Sequence, residues 1–567
     1  MPIETAMIRG ATDRLGPIVD DGVERETGRG AQRTNALAGQ ALSAIVRTTL
    51  GPKGLDKMVS TSTGKVVVTN DGARVLDLID IEHSAAETLA AVAADQAECI
   101  GDGTTTATVL AGDLLVGAET LLEEGVHPTT IAKGYRFAAE RATDLLGSYT
   151  FEIAPHDTDR LEEVAATVIT GKWDTESVSF LASLAVETVL AVERDGAVDR
   201  RRITRRTVPG GRLRDSTLVD GLVVDTDQSS TSIVTPDIRG HRRIEDATIA
   251  LVDGGLTIDE VDGLGSVSLD GPAERQQLLE YENGVYAEHV ERIAATGADI
   301  VFCQQAIDDA VRHLLAERDV LAVERTRRDE LVQLSRATGG THVSSVGEMT
   351  GADTGSAELI ERRTVGGREL TVVAGCENTE QVSLLLRGGP EHVVDELDRI
   401  LDSCLHVLGL AIERRDVVPG GGACEVRLAR DLRDDAAAID GREQLAVDAF
   451  ADALEAIPRT LAETAGLDPI DALVALRNAH DDGNGTAGLD LTTGRISNMI
   501  DAGVIEPLAV KERAIGGAEE AATMLVRVDD VIAAARDPEE PHDHDHDRGS
   551  KSGGRFSTGG YPWAIGH

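Results

Sequence analysis

Residues 101–115 read GDGTTTATVLAGDLL. Two glycines bracket an aspartate, three threonines follow, and an apolar run at helical spacing begins. A helix N-terminus offers unpaired backbone N–H groups and the positive end of the helix dipole, and both favour an anion. An acid sits badly beside a phosphate unless a cation bridges the two, so Asp102 reads as an oxygen ligand for Mg2+. The plainer alternative is a turn followed by a helix whose cap is over-supplied with hydroxyls.

Other glycine turns share this texture. TLGPKG (49–54) sets Gly51 and Gly54 around Pro52 just after a helical stretch, where the missing Cβ lets backbone approach a ligand. NDG (70–72) follows the short β run KVVVT (65–69) and is by default a hairpin or strand-to-helix turn. PGGGACE (419–425) places three glycines before a further helix, far downstream. No G-x-x-x-x-G-K-[ST] loop occurs, and TSTGKV (61–66) has only its end. Lysine supplies seven of the 55 basic residues, yet Lys53, Lys57, Lys172 and Lys511 fall in or beside these unusual turns. A compact ammonium differs from a guanidinium in such places, although chance surface placement explains the pattern equally well.

Composition narrows the class. The 567 residues are 41% apolar, enough for several globular domains, and only 2% aromatic. The formal charge is −44. Such a chain suits a cytoplasm at multimolar salt, where screening acts within about 3 Å. A basic footprint is lacking, so nucleic acid is not an expected partner. No apolar run approaches the roughly 20 residues that span a bilayer, and no secretory leader is visible, so no membrane partner and a soluble, cytoplasmic protein are expected. The five cysteines (99, 303, 376, 404 and 424) are scattered and read as free thiols, with neither a zinc site nor a disulfide framework.

The pattern along the chain changes twice. A polar arm occupies residues 1–30. Helical spacing then dominates to about 145, with stretches at 34–50, 70–79, 85–100 and 105–123. From about 215, short Val/Ile-rich runs (218–225, 247–254, 298–303 and 320–324) alternate with helical stretches, including a long one within 268–298, and indicate an α/β domain. From about 405 the spacing is helical again, through VRVDDVIAAAR (526–536). The chain thus leaves its first domain and returns to it. The tail 537–567, with its HDHDHD run, reads as low-complexity and disordered.

TTLGPKGLDKM (48–58), VTNDGARVL (68–76), GDGTTTATVLAGDLL (101–115), ITGK (169–172), LLLRGGPEHVVDELDRIL (384–401), VVPGGGACE (417–425) and GVIEPLAVKERAI (503–515) occur in one order that resembles the archaeal group II chaperonins, the thermosome subunits. The resemblance covers about residues 30–536, and the acidic bias suits a divergent halophilic member. It implies a multi-domain chaperonin fold: a mainly α-helical equatorial ATPase domain (31–147 and 405–536), an α/β intermediate domain (148–215 and 367–404), and an α/β apical domain (216–366) with a helical protrusion at about 256–290. It further implies stacked rings, homo- or hetero-oligomeric with paralogous subunits, that enclose non-native proteins using ATP and Mg2+.

The same resemblance assigns residues. Leu50, Gly51 and Pro52 match the loop that touches the phosphates. Asp102 matches the Mg2+ ligand, and Gly103, Thr104, Thr105 and Thr106 the phosphate cradle. Asp71 matches an acid facing the γ-phosphate, Lys172 the lysine that senses it, Gly421 the nucleotide-facing glycine cluster, and Glu506 the acid near the ribose. One position departs from the pattern. The helix before the PGGG turn usually carries Glu-Asp-Ala, and this chain has Asp402-Ser403-Cys404. Serine therefore stands where the family has the aspartate that aligns the attacking water, and losing a general base costs about 10²–10⁴-fold. Asp402 lies one residue away, about 100° around the helix. Two functions follow: an ATP-driven folding subunit working through Asp71 or Asp402, or an ATP-binding, hydrolysis-poor accessory subunit of a mixed ring. A small-molecule kinase or ligase is disfavoured, because the middle of the chain offers no acceptor site.

Overall fold

The computed structural model describes residues 25–61, 64, 66–225, 243–257, 272–376 and 381–532. The expectations for residues 1–24, for the first half of the protrusion and for the tail lie outside them. The described residues fall into two units, residues 25–28 with 530–532, and Arg29–Asp529. In the smaller unit, strand Arg25–Thr27 pairs antiparallel with Asp530–Ile532, Arg25 opposite Ile532. This corrects two readings. The helix expected through 526–536 ends at Val526, and residues 25–27 are a strand, not part of an arm. A strand pair joining the two ends of a chain has no local periodicity to announce it.

The larger unit begins as a helical bundle. Arg29–Arg47, Ser84–Cys99, Thr104–Glu123 and Pro128–Gly147 come from the first part of the chain; Ala423–Ala436, Glu443–Leu454 and Leu508–Val526 come from the last. Helix Thr104–Glu123 runs against Arg29–Arg47, Leu508–Val526 and Glu443–Leu454, which makes it the central element. Its Leu110, Leu114 and Leu115 are buried with Tyr135 and Phe450. The Tyr135 hydroxyl donates to the Leu114 carbonyl at 2.7 Å, so the buried phenol keeps its hydrogen bond. Helices Thr104–Glu123 and Thr175–Val192 are, contrary to the sequence reading, long and apolar enough to cross a membrane. Each is packed into a protein core.

A second core joins helices Thr158–Ile169, Thr175–Val192 and Glu391–Arg414 to a three-stranded sheet. In it Val382–Gly388 pairs parallel with Ile203–Pro209 and antiparallel with Thr217–Asp220. The third region is a six-stranded sheet ordered Leu321–Val323, Ile300–Cys303, Arg243–Val252, Gly355–Val365, Arg368–Ala374, Leu222–Asp225. Helices Pro272–Ala295 and Asp309–Glu317 pack into one core with it, and Arg328–Thr338 into another.

The sheets move two expected boundaries. LVDGLVVD is not one strand: Gly221, at φ +117°, splits it, and its halves join different sheets. The chain therefore changes sheet at Gly221 and not at 216. Arg368–Ala374, expected in the second crossing of the hinge region, belongs to the six-stranded sheet. The boundary expected after 404 falls inside the continuous helix Glu391–Arg414. The spacing does not announce several hairpins among the described residues, including Gly355–Val365 with Arg368–Ala374, Ala487–Asp490 with Arg495–Asn498, and Lys57–Ser60 with Val66–Thr69.

Candidate functional site

The Asp102 turn is built by two left-handed glycines, Gly101 at φ +88° and Gly103 at φ +80°. Gly103 is the N-cap of helix Thr104–Glu123, and no side chain caps that end. The threonines are therefore not spent on capping, and the helix start keeps its first N–H groups free. Thr105 is buried, its hydroxyl 3.3 Å from that of Thr49, and its side chain fills the space beside Gly72. Thr104 and Thr106 are half-buried, and their hydroxyls make no hydrogen bond among the described residues. The Gly103 N–H donates to Asp102 Oδ1 at 2.7 Å. Gln96 clamps the turn from below, its Nε2 donating to the Asp102 carbonyl at 2.7 Å and to the Val510 carbonyl at 3.3 Å.

Burial raises the Asp102 carboxyl above its usual range; the Gly103 N–H and the charges of Lys511 and Lys172 oppose this, and the charge of Asp71 adds to it. Asp71, Lys172 and Lys511 thus act on one carboxylate from three separate segments. Asp71 also has a local duty. Its Oδ1 accepts the Arg74 N–H at 3.3 Å and caps helix Gly72–Leu78, while its own N–H donates to Thr69 Oγ1 at 3.2 Å. The Leu50–Gly51–Pro52 loop closes through the Gly54 N–H donating to the Gly51 carbonyl at 2.9 Å. The Lys172 turn lies on that loop: a Cβ at Gly171 would stand 2.9 Å from Pro52 backbone. Lys172 Nζ is 3.5 Å from Glu396 Oε1, both side chains mostly buried.

The second glycine turn repeats the device. Gly422, at φ +79°, is the uncapped N-cap of helix Ala423–Ala436, and Gly421 precedes it at φ +61°. Strand Ile505–Pro507 pairs with Asp416–Pro419 and brings Glu506 opposite Val418. A Cβ at Gly420 would lie 2.8 Å from Glu506 Oε1, so this carboxylate rests against the turn. Lys511 Nζ stands 3.1 Å from Glu506 Oε1 and 2.7 Å from Glu425 Oε1. Burial raises the Glu506 carboxyl, and Lys511 counters it. Burial also works against the Lys511 charge, but Glu425 and Glu506 outweigh it and hold the ammonium protonated.

Helix Glu391–Arg414 borders the Asp102 turn: a Cβ on Gly101 would come 3.1 Å from the Ser403 carbonyl. Glu396, the partner of Lys172, and Ser403 are seven residues apart and so share a face of this helix. Asp402 points elsewhere. Its Oδ1 accepts from Arg205 Nη1 at 2.6 Å, and Arg205 Nε binds Asp398, one turn earlier, at 2.7 Å. Cys404 faces the second core, its thiol pushed up by burial and by the charge of Asp102.

The structure thus gathers Leu50, Gly51, Pro52, Asp71, Asp102, Gly103, the threonines and Lys172 around one region, with Gly421 and Glu506 linked to it through Lys511, Val510 and Gln96. Among the described residues no three His, Cys, Asp or Glu side chains form a self-contained metal site. A hard cation at Asp102 would share its oxygen shell with a phosphate ligand, which is how magnesium commonly binds. Sequence reading missed Gln96 and Glu425. Gln96 sits in an alanine-rich helix that gives no signal, whereas Glu425 closes the glycine turn and was legible as its first acid.

The chain is similar to known proteins over most of its length. The profile of the TCP-1/cpn60 chaperonin family matches residues 42–536. The chain is 46% identical to the thermosome subunit of Methanopyrus kandleri over 521 residues, covering 91% of this chain and 94% of that protein. It is 46% identical to thermosome subunit alpha of Halobacterium salinarum over 517 residues, covering 91% of each. Among solved structures it is similar to the open-state monomer of a group II chaperonin from Methanococcoides burtonii, with a TM-score of 0.57 and 39% identity over 76% of this chain and all of that one.

Proposed function

This chain belongs to the TCP-1/cpn60 chaperonin family, and from that membership we propose how its turns bind and use MgATP. It is a subunit of a double-ring folding chaperone, and chaperonins are ATPases. In our reading the helical bundle is the equatorial ATPase domain, the region around the three-stranded sheet the intermediate domain, and the six-stranded sheet with its helices the apical domain. The rings take up non-native proteins. They are homo-oligomeric or mixed with paralogues; Archaeoglobus fulgidus has both a thermosome subunit alpha and a thermosome subunit beta among the relatives.

One observation carries the nucleotide reading. The helix after Asp102 is capped by a left-handed glycine, with two threonine hydroxyls unspent beside it. Phosphate oxygens would accept from the free N–H groups of Thr104, Thr105 and Thr106 and from the hydroxyls of Thr104 and Thr106, with Leu50, Gly51 and Pro52 closing the other side. Asp102 would hold Mg2+, which neutralises phosphate charge. Lys172 would exchange Glu396 for the terminal phosphate. Gly421 and Glu506 would face the nucleoside end.

Water attack is where this chain differs. Ser403 has no charge with which to orient or deprotonate water. Asp402 is engaged by Arg205 on another face of the helix. Asp71 is then the acid left to position the water, and half of its carboxylate caps its own helix. That pairing favours slow turnover, and with it a second reading: an accessory subunit whose ring-mates hydrolyse faster. Steady-state ATP hydrolysis in multimolar KCl with Mg2+, for wild type and Ser403→Asp, separates the two. Equal, substantial rates support a self-sufficient subunit. A near-silent wild type rescued by the aspartate supports the accessory role.

A further inference from the structure

Helix Glu391–Arg414 ends on Arg415, whose backbone is left-handed at φ +61°. Glycine is the usual residue at such a helix end, because it takes that conformation without a steric penalty. The chain has 59 glycines, yet it keeps a guanidinium here. His156 repeats the pattern, also at φ +61° with a full side chain. Both residues line one cavity of about 330 Å³. The cavity lies where the chain passes from the helical bundle into the second core and back: Phe151 and Glu152 pair with Val417 and Asp416, and the Ile153 N–H donates to the Arg415 carbonyl at 2.9 Å. Its apolar lining is aliphatic, from Ile153, Leu161, Leu190 and Ile412. Its charged lining is Glu193, Asp195 and Arg415. Glu193 is already engaged, with Oε1 accepting the Gly196 N–H at 2.6 Å and Oε2 3.2 Å from His156 Nε2. Asp195 and Arg415 are not: neither side chain makes a hydrogen bond or ion pair among the described residues. They are neighbours all the same, since a Cβ on Gly196 would stand 3.9 Å from Arg415 Nη2.

A carboxylate and a guanidinium thus face one aliphatic cavity without neutralising each other, and the charge count selects the occupant. Two carboxylates against one guanidinium disfavour a simple organic anion, and the guanidinium disfavours a simple amine. A zwitterion meets both poles. The volume stands at the small end of ligand cavities and suits a compact molecule. We propose that this cavity binds a free aliphatic α-amino acid. Arg415 takes its carboxylate as a two-point pair, Asp195 its ammonium, and Ile153, Leu161, Leu190 and Ile412 its side chain. The site shares no residue with the phosphate turns and stands apart from the nucleotide reading. A ligand held there touches both crossings of the chain.

The test is calorimetric titration of leucine into the full-length protein in high KCl without nucleotide. Isocaproate lacks the ammonium, isoamylamine lacks the carboxylate and glycine lacks the apolar body, and each is titrated beside it. Leucine is expected to bind at least about tenfold more tightly than any of them, the value of one charged hydrogen bond or of a buried aliphatic side chain. The variants are chosen to suit the backbone they enter. Arg415→Gly favours the left-handed helix end. Asp195→Asn keeps the two-residue turn between strands Glu193–Arg194 and Ala197–Val198, because Asn-Gly serves there as well as Asp-Gly. Thermal unfolding is expected to stay level in D195N and to stay level or rise in R415G, while both lose leucine affinity by about tenfold or more. Wild-type leucine affinity in either folded variant overturns the inference, and so does equal affinity for leucine and isocaproate. A wild type that binds no leucine overturns it outright.

Discussion

Arg205 holds Asp402 and Asp398 with one guanidinium, at 2.6 and 2.7 Å, on a different face of helix Glu391–Arg414 from Ser403. The acid next to Ser403 in sequence is thus tied to a strand of the three-stranded sheet. Ser403→Asp is expected to raise ATP hydrolysis by about 10²–10⁴-fold, and Asp402→Asn to change it less than about twofold. Steady-state phosphate release on both variants checks this, and a large loss in D402N would sink it.

Asp102→Asn should remove the dependence of ATP binding on Mg2+ while leaving the fold intact, because Gln96 grips the backbone of residue 102 and not its carboxylate. Titrating Mg2+ at fixed nucleotide shows it: affinity that rises with Mg2+ in wild type should be flat in the variant.

Glu396 holds Lys172 at 3.5 Å in a largely buried pair. If the lysine must leave this partner to meet the terminal phosphate, Glu396→Gln lowers the cost of the exchange. The expected result is a gain of about three- to tenfold in the ratio of ATP to ADP affinity, given roughly 1 kcal/mol for such a pair. An unchanged ratio in nucleotide titrations would refute the exchange.

His480 is fully buried, with Nε2 2.8 Å from the Ala487 carbonyl and Nδ1 unpartnered. Burial, with help from the charges of Arg430 and Arg427, depresses its folded pKa. The folded state therefore keeps the ring neutral while the unfolded chain takes up a proton below about pH 6.5. This contribution is fully present above that pH and is lost as pH falls towards the depressed folded pKa. Denaturant unfolding across pH 7.5 to 5 should show a weaker acid loss in His480→Phe than in wild type.

Much of the geometry of the proposed nucleotide site was legible because its parts are local. GDGTTT, TLGPKG and PGGG are short runs in which the residue types themselves dictate φ and leave helix N–H groups free, and the structure places left-handed glycines in all three. Helices with a buried stripe were equally plain: the one expected at 85–100 is Ser84–Cys99. The misses were pairings between distant segments. The strand at 530–532 exists only because residues 25–27 lie beside it, and LVDGLVVD divides between two sheets because each half finds a different partner.

The sequence by itself determined the family and the run of glycine turns, since each is written in contiguous residues. Only the tertiary structure decided that Asp402 belongs to Arg205, that Lys172 rests on Glu396, and that Lys511 binds Glu425 and Glu506 together. Charge attraction acts through space and not along the chain. Which carboxylate a cation meets depends on the packing of helices and strands that sequence spacing does not record.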